Sequence, residues 1–159
     1  MKQDSLEEMQ AYFDLRHDNY ETIHTAVIDG GIESKRVIAS LLPENSNKLI
    51  DLGIGTGLEL KEIFNRFPNI QITGVDISKK MLEKLKENYH NKDIDLYHMN
   101  YLQHEFKKDY YDVALSVMTL HHYTREIKID LYKKIVECLL SKGVYICLLY
   151  TSDAADDKA

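Results

Sequence analysis

"DLGIGTGLEL", residues 51–60, sets glycines at positions 53, 55 and 57 directly after the apolar pair Leu49-Ile50. Glycine loses more conformational freedom on folding than any other residue and is disfavoured inside strands and helices. Three alternating glycines therefore mark a turn, and the hydrophobic pattern changes period across it. Before the turn, Lys48–Leu52 reads as a short strand. After it, Leu60, Ile63, Phe64 and Phe67 recur at helical spacing, which predicts a helix over Gly57–Arg66 stopped by Pro68. A strand, a glycine turn and a helix make a ligand-binding arrangement. The first N–H groups of the helix are unpaired, and glycine lets a ligand approach the backbone.

The alternation continues downstream. Ile70–Val75 reads as a strand, and Ser78–Tyr89 as a helix capped by Ser78 with Met81, Leu82, Leu85 and Tyr89 inward. Strands follow at Ile94–Met99 and Asp112–Val117, then a helix over Thr124–Leu140. A Ser141-Lys142-Gly143 turn leads to a last strand from Val144. Strands alternating with helices predict an α/β fold, a mostly parallel sheet with helices on both faces. Upstream, Ser5-x-x-Glu8 has the form of a capping box and opens a helix over Leu6–Arg16. A second helical stretch runs to Gly30-Gly31, and a third spans Glu33–Leu42 before Pro43. The expected organisation is an N-terminal helical cap, residues 1–42, followed by a binding domain, residues 43–146.

Composition excludes several classes. The chain has 159 residues, enough for one domain with its own core, and a net charge of −6. A nucleic-acid binder usually carries a basic stripe, and none is visible. The longest apolar run, Val144–Tyr150, is far too short to span a bilayer, and the start MKQDSLEEMQ lacks the apolar stretch of a signal peptide. Cys138 and Cys147 are too few for a disulfide framework. These features predict a cytoplasmic protein with no nucleic-acid partner and no membrane partner, and no metal is expected because the neighbouring His121 and His122 point apart and no Cys or carboxylate cluster completes them.

Asp51-Leu52-Gly53-x-Gly55-x-Gly57 resembles motif I of the class I S-adenosylmethionine-dependent methyltransferases. The resemblance extends over residues 10 to 146 and implies a Rossmann-like fold, the cofactor S-adenosyl-L-methionine, and transfer of its methyl group to a small-molecule nucleophile. It implies that Gly53, Gly55 and Gly57 form a floor beneath the methionine part of the cofactor, with Asp51 bracing the loop and facing the ammonium. Asp76, after the second strand with Ile77 beside it, matches the acid that accepts both ribose hydroxyls; two carboxylate oxygens suit two hydroxyl donors. Asn100 and Tyr101 fall where the family meets adenine, and Ser116 where the fourth strand meets the reacting end. Asn100 departs from the family's usual Asp. Tyr12, Arg16 and Tyr20 match a leading helix that covers the pocket. His121 and His122 are the candidates for touching substrate, since imidazole is the usual general base near neutral pH. The alternative on the same broad fold is an NAD-type oxidoreductase. Its G-x-G-x-x-G fingerprint wants glycine at position 58, where this chain has Leu58.

The family fold has seven strands, and five are legible here, so the last strands are expected to be missing. Back-translated in one frame, residues Cys147–Asp156, "CLLYTSDAAD", resemble the transposase adapter of shotgun sequencing libraries. This predicts a non-native tail over 147–159, with genuine sequence ending near Ile146. An inactive truncated fragment is therefore a further alternative.

Overall fold

The computed structural model describes residues 31–120 and 123–149, together with positions 8, 10–12, 14 and 15. The elements run α1 (Gly31–Leu41), β1 (Lys48–Leu52), α2 (Leu60–Arg66), β2 (Gln71–Asp76), α3 (Lys79–Asn88), β3 (Ile94–His98), β4 (Tyr111–Val117), α4 (Arg125–Cys138) and β5 (Leu139–Leu148). The five strands form one sheet in the order β3-β2-β1-β4-β5, and every pairing is parallel. The expected α/β architecture is thus present, with its expected cap partly outside the described residues. Positions 10–12 and 14–15 are helical, while the second helical stretch lies outside the description.

Parallel strands are covered on both faces, and two apolar clusters do the covering. One packs α1, α2 and α3 through Ile38, Leu60, Ile63, Phe64, Leu82 and Leu85 against Leu49, Ile72, Val113 and Leu115. The other packs α4 through Leu131, Ile135 and Cys138 against Ile50, Leu52, Val75 and Ala114. Two polar fasteners tie the elements together. Asp112 Oδ2 accepts from the N–H groups of both Asn47 and Lys48, 2.9 Å each, clamping the start of β4 to the start of β1. Arg66 Nη1 donates to the carbonyls of Ala39 and Ser40, satisfying acceptors that the end of α1 leaves open.

Two expectations are corrected. The helix predicted over Thr124–Leu140 ends at Cys138, and no turn separates it from the following strand. Leu139 is already extended and pairs with Tyr111, so Leu139 and Leu140 belong to β5 rather than to a helical face. The register then shifts between Tyr111 and Val113, which pairs with Val144 and absorbs the extra residues as an irregularity. Likewise the helix after the glycines starts at Leu60, three residues later than predicted, because all three glycines take left-handed backbone angles.

The chain runs outward from β1 through β2 to β3, then returns to β4 on the other side of β1. In open α/β sheets this switch point, at the carboxyl ends of the strands, is where ligands bind. Between the first two glycines, Ile54 is 3% exposed and seats on β2 at Gly74. A Cβ at Gly74 would stand 2.6 Å from Ile54 Cδ1 and 2.8 Å from Leu96 Cδ2, so the sheet leaves out a side chain to receive Ile54.

Candidate functional site

The loop over residues 53–57 sits at the switch point, and its glycines have different neighbours. Gly53 has φ +81°, and a Cβ there would lie 2.3 Å from the Thr119 methyl. Thr119 follows β4 and donates its hydroxyl to the Leu52 carbonyl, so it bridges the two strands that flank the switch point. Gly57 is buried, and a Cβ there would press on Leu60 and Leu85. Its carbonyl accepts from the Tyr89 hydroxyl. Gly55 is half-buried, and among the described residues a Cβ there would meet nothing within 4 Å. Of the three, Gly55 borders open space, whereas Gly53 and Gly57 answer first to packing within the protein.

Three carboxylates converge on this loop. Asp76, 8% exposed, accepts from Gly55 N–H through Oδ2 and from Ser78 N–H through Oδ1, 2.8 Å each. Burial raises its pKa, opposed by the N–H groups of Ser78, Gly55 and Ile77 and by nearby His98. Asp51 is 1% exposed, and neither carboxylate oxygen has a donor among the described residues. Burial holds its pKa well above the usual carboxylate range, with repulsion from Glu59 and Asp76 adding to the shift. Glu59, 6% exposed, stands within hydrogen-bond reach of Asp51, and burial raises its pKa too. Sequence reasoning missed Glu59, which sits in the position of an ordinary helix-start acid. It also missed Thr56, whose buried hydroxyl has no partner among the described residues.

The remaining candidates lie at or after the ends of β2, β3 and β4 or belong to the N-terminal segment. Asn100 Oδ1 accepts from Leu102 N–H in an Asx turn. Tyr101 is 6% exposed, packs edge-on against Tyr123 and donates to the Thr119 carbonyl. Ile77 is half-buried, and its carbonyl lies 3.0 Å from His98 Nε2. Ser116 is fully buried and shares a 2.7 Å hydrogen bond with the Tyr145 hydroxyl on β5. Beyond it Met118 takes φ 58°, a left-handed angle uncommon outside glycine, and its N–H is held by the Leu148 carbonyl. From the N-terminal segment, Asp14 accepts from the Ser78 hydroxyl, two residues beyond Asp76. Tyr12 is about half exposed. Arg16, Tyr20, His121 and His122 lie outside the described residues.

Among the described residues, no group of three or more His, Cys, Asp and Glu side chains is arranged to hold a metal ion, and no helix is long and apolar enough to cross a membrane. A separate cavity of about 410 Å³, lined by Gln103, His104, Phe106, Lys134, Glu137 and Cys138, lies on the α4 side near the start of β4. The glycine-loop residues suit a nucleoside that bears an amino-acid end. Asp76 offers a preset acceptor pair, Gly55 leaves room, and the orphaned Thr56 hydroxyl lies in the loop that follows the orphaned Asp51 carboxylate on β1.

A family model described as a methyltransferase domain matches residues 49–143, more than half of the chain. The demethylmenaquinone methyltransferase of Thermotoga maritima is 34% identical over 74 residues, which cover 45% of this chain and 32% of that protein. The tRNA1(Val) (adenine(37)-N6)-methyltransferase of Vibrio campbellii is 38% identical over 63 residues, covering 37% of this chain and 26% of that protein. The solved structure of Haemonchus contortus phosphoethanolamine N-methyltransferase 1, in complex with phosphoethanolamine and S-adenosylhomocysteine, superposes with a TM-score of 0.74 at 16% identity. That superposition covers 92% of this chain and 33% of the other, and shows a shared fold. The chain spans about a third of the length of the curated relatives it matches first.

Proposed function

This chain belongs to the methyltransferase-domain family, and from that membership we propose that it binds S-adenosyl-L-methionine and transfers its methyl group to a small-molecule nucleophile. The observation that carries the reading is Asp76, whose two carboxylate oxygens are preset by Gly55 and Ser78 N–H beside the open space over Gly55. Each oxygen keeps a lone pair directed away from its N–H partner, which suits the two hydroxyls of a ribose.

When bound, the cofactor supplies an electrophilic sulfonium methyl that a nucleophile takes in one in-line displacement. The chain's own contribution is positioning and exclusion of water. Gly53, Gly55 and Gly57 make the floor, Asp76 fixes the ribose, and Asp51 presents negative charge beneath the amino-acid end. Asn100 and Tyr101 border the adenine side, and Ser116 with Tyr145 lies toward the reacting end. The net charge of −6 supports a small acceptor rather than a nucleic-acid base. The RNA-directed relatives make RNA the acceptor to test against it.

Calorimetric titration with S-adenosylhomocysteine tests the cofactor reading, with NAD as the control ligand. Hydrogen bonds to a charged group are worth about 1.5–3 kcal/mol, so Asp76→Ala is expected to weaken binding about ten- to a hundredfold. Equal binding of NAD, or an Asp76→Ala variant that binds as tightly as the wild type, would overturn it.

A further inference from the structure

The carboxylate pair beneath the loop has chemistry that the cofactor reading uses only in part. Asp51 closes β1 and Glu59 stands at the start of α2, so the loop over 53–58 folds their side chains together. Glu59 makes no capping bond to its helix; its carboxyl is turned to Asp51 instead. Apart from the Glu59 carboxyl, no donor among the described residues reaches either Asp51 oxygen, and both residues are more than nine-tenths buried. Two ionised carboxylates in contact and away from water repel, and such sites take up a proton instead. Other charged groups act on the pair from the elements around it. Asp76 on β2 favours protonation of Asp51, while Lys35 on α1 draws Glu59 toward its ionised form.

We propose that Asp51 and Glu59 share one proton in the ligand-free protein, and that the ammonium of an amino-acid-bearing ligand seated over Gly55 drives that proton into solvent. The proposal rests on the cofactor reading for the identity of that ligand. The O–H bond on Asp51 breaks, the proton passes to buffer, and the pair moves from one negative charge to two. The ammonium and Lys35 offset the added charge. Both carboxylates are buried, where the low dielectric keeps the attraction of the ammonium strong.

A ligand that expels a proton binds more tightly as pH rises, by up to about tenfold per pH unit while the pair still holds its proton. The test is calorimetry from roughly pH 5.5 to 8, where a free carboxylate no longer titrates, in two buffers of unlike ionisation enthalpy. The probes are S-adenosylhomocysteine and 5′-methylthioadenosine, which lacks the ammonium. S-adenosylhomocysteine is expected to release up to one proton and to tighten with pH, while 5′-methylthioadenosine releases none. Glu59→Gln is expected to keep S-adenosylhomocysteine binding and lose the pH slope. Binding of S-adenosylhomocysteine without proton release, or an unchanged slope in Glu59→Gln, overturns the proposal and leaves the cofactor reading standing. Failure of a folded chain to bind either probe overturns both.

Thermal unfolding of the ligand-free protein tests the shared proton independently. A carboxyl whose folded pKa is raised contributes stability that is complete below its unfolded pKa and is lost as pH rises through the folded value. The wild type is therefore expected to lose melting temperature more steeply than Glu59→Gln as pH rises above the ordinary carboxylate range. Parallel curves overturn the proposal.

Discussion

A methyl group added at Gly53 would stand 2.3 Å from the Thr119 side chain, whereas one added at Gly55 would meet nothing within 4 Å among the described residues. A left-handed backbone angle costs an alanine about 1–2 kcal/mol at either position. Overpacking against Thr119 adds about 1–3 kcal/mol at Gly53 alone. Urea unfolding is therefore expected to find Gly53→Ala the more destabilised of the two. Calorimetry with S-adenosylhomocysteine is expected to find the reverse order of damage per unit of lost stability, since on the proposed reading a methyl at Gly55 enters the ligand's space. Equal stability losses would mean that Thr119 yields freely. The sequence spaces these glycines evenly and gives no sign that Thr119, from a different strand end, sets the demand on one of them. Glu59 was hidden for a similar reason, because an acid at a helix start is ordinary until its neighbour proves to be a second buried acid.

Asp112 joins two elements through one oxygen, accepting from Asn47 and Lys48 at the foot of β1. Asp112→Ala leaves both N–H groups without that acceptor, and the half-buried setting gives an expected loss of about 1–3 kcal/mol in urea unfolding. A loss below experimental error would show that water replaces the carboxylate. The strands and helices were largely legible as elements because their apolar residues recur at periods that only one kind of element satisfies. Strand β1 falls on Lys48–Leu52 as read, and α3 differs from its reading by one residue at each end. The junction of α4 and β5 was not legible. Leu139 and Leu140 fit a helical face and a strand equally well, and pairing with Tyr111 decides between them. Asn100 shows the same limit at the site: the sequence offers an amide beside a ligand, and the structure adds that its oxygen already holds Leu102 N–H.

Across the whole molecule, the α4 layer leaves Ile129, Tyr132 and Val136 exposed along one side of the helix, with Val136 72% exposed. The sheet edge at β5 lies next to that layer, and the Tyr132 and Tyr145 rings meet across the boundary. An apolar stripe beside a strand that ends the sheet among the described residues favours association. Light scattering on a size-exclusion column is expected to show apparent mass rising with concentration, and Val136→Glu is expected to suppress the rise. Because Val136 is exposed, that variant should change stability by no more than about 0.5 kcal/mol. Concentration-independent mass in the wild type would assign the stripe no role in association. On the opposite layer the seating of Ile54 at Gly74 has a consequence in time rather than in energy. A floor bolted to the sheet at its midpoint does not rise and fall with each visiting ligand. The floor is in place before a ligand arrives, held by the Ile54 side chain at Gly74 and by the Ile54 N–H on the Val75 carbonyl.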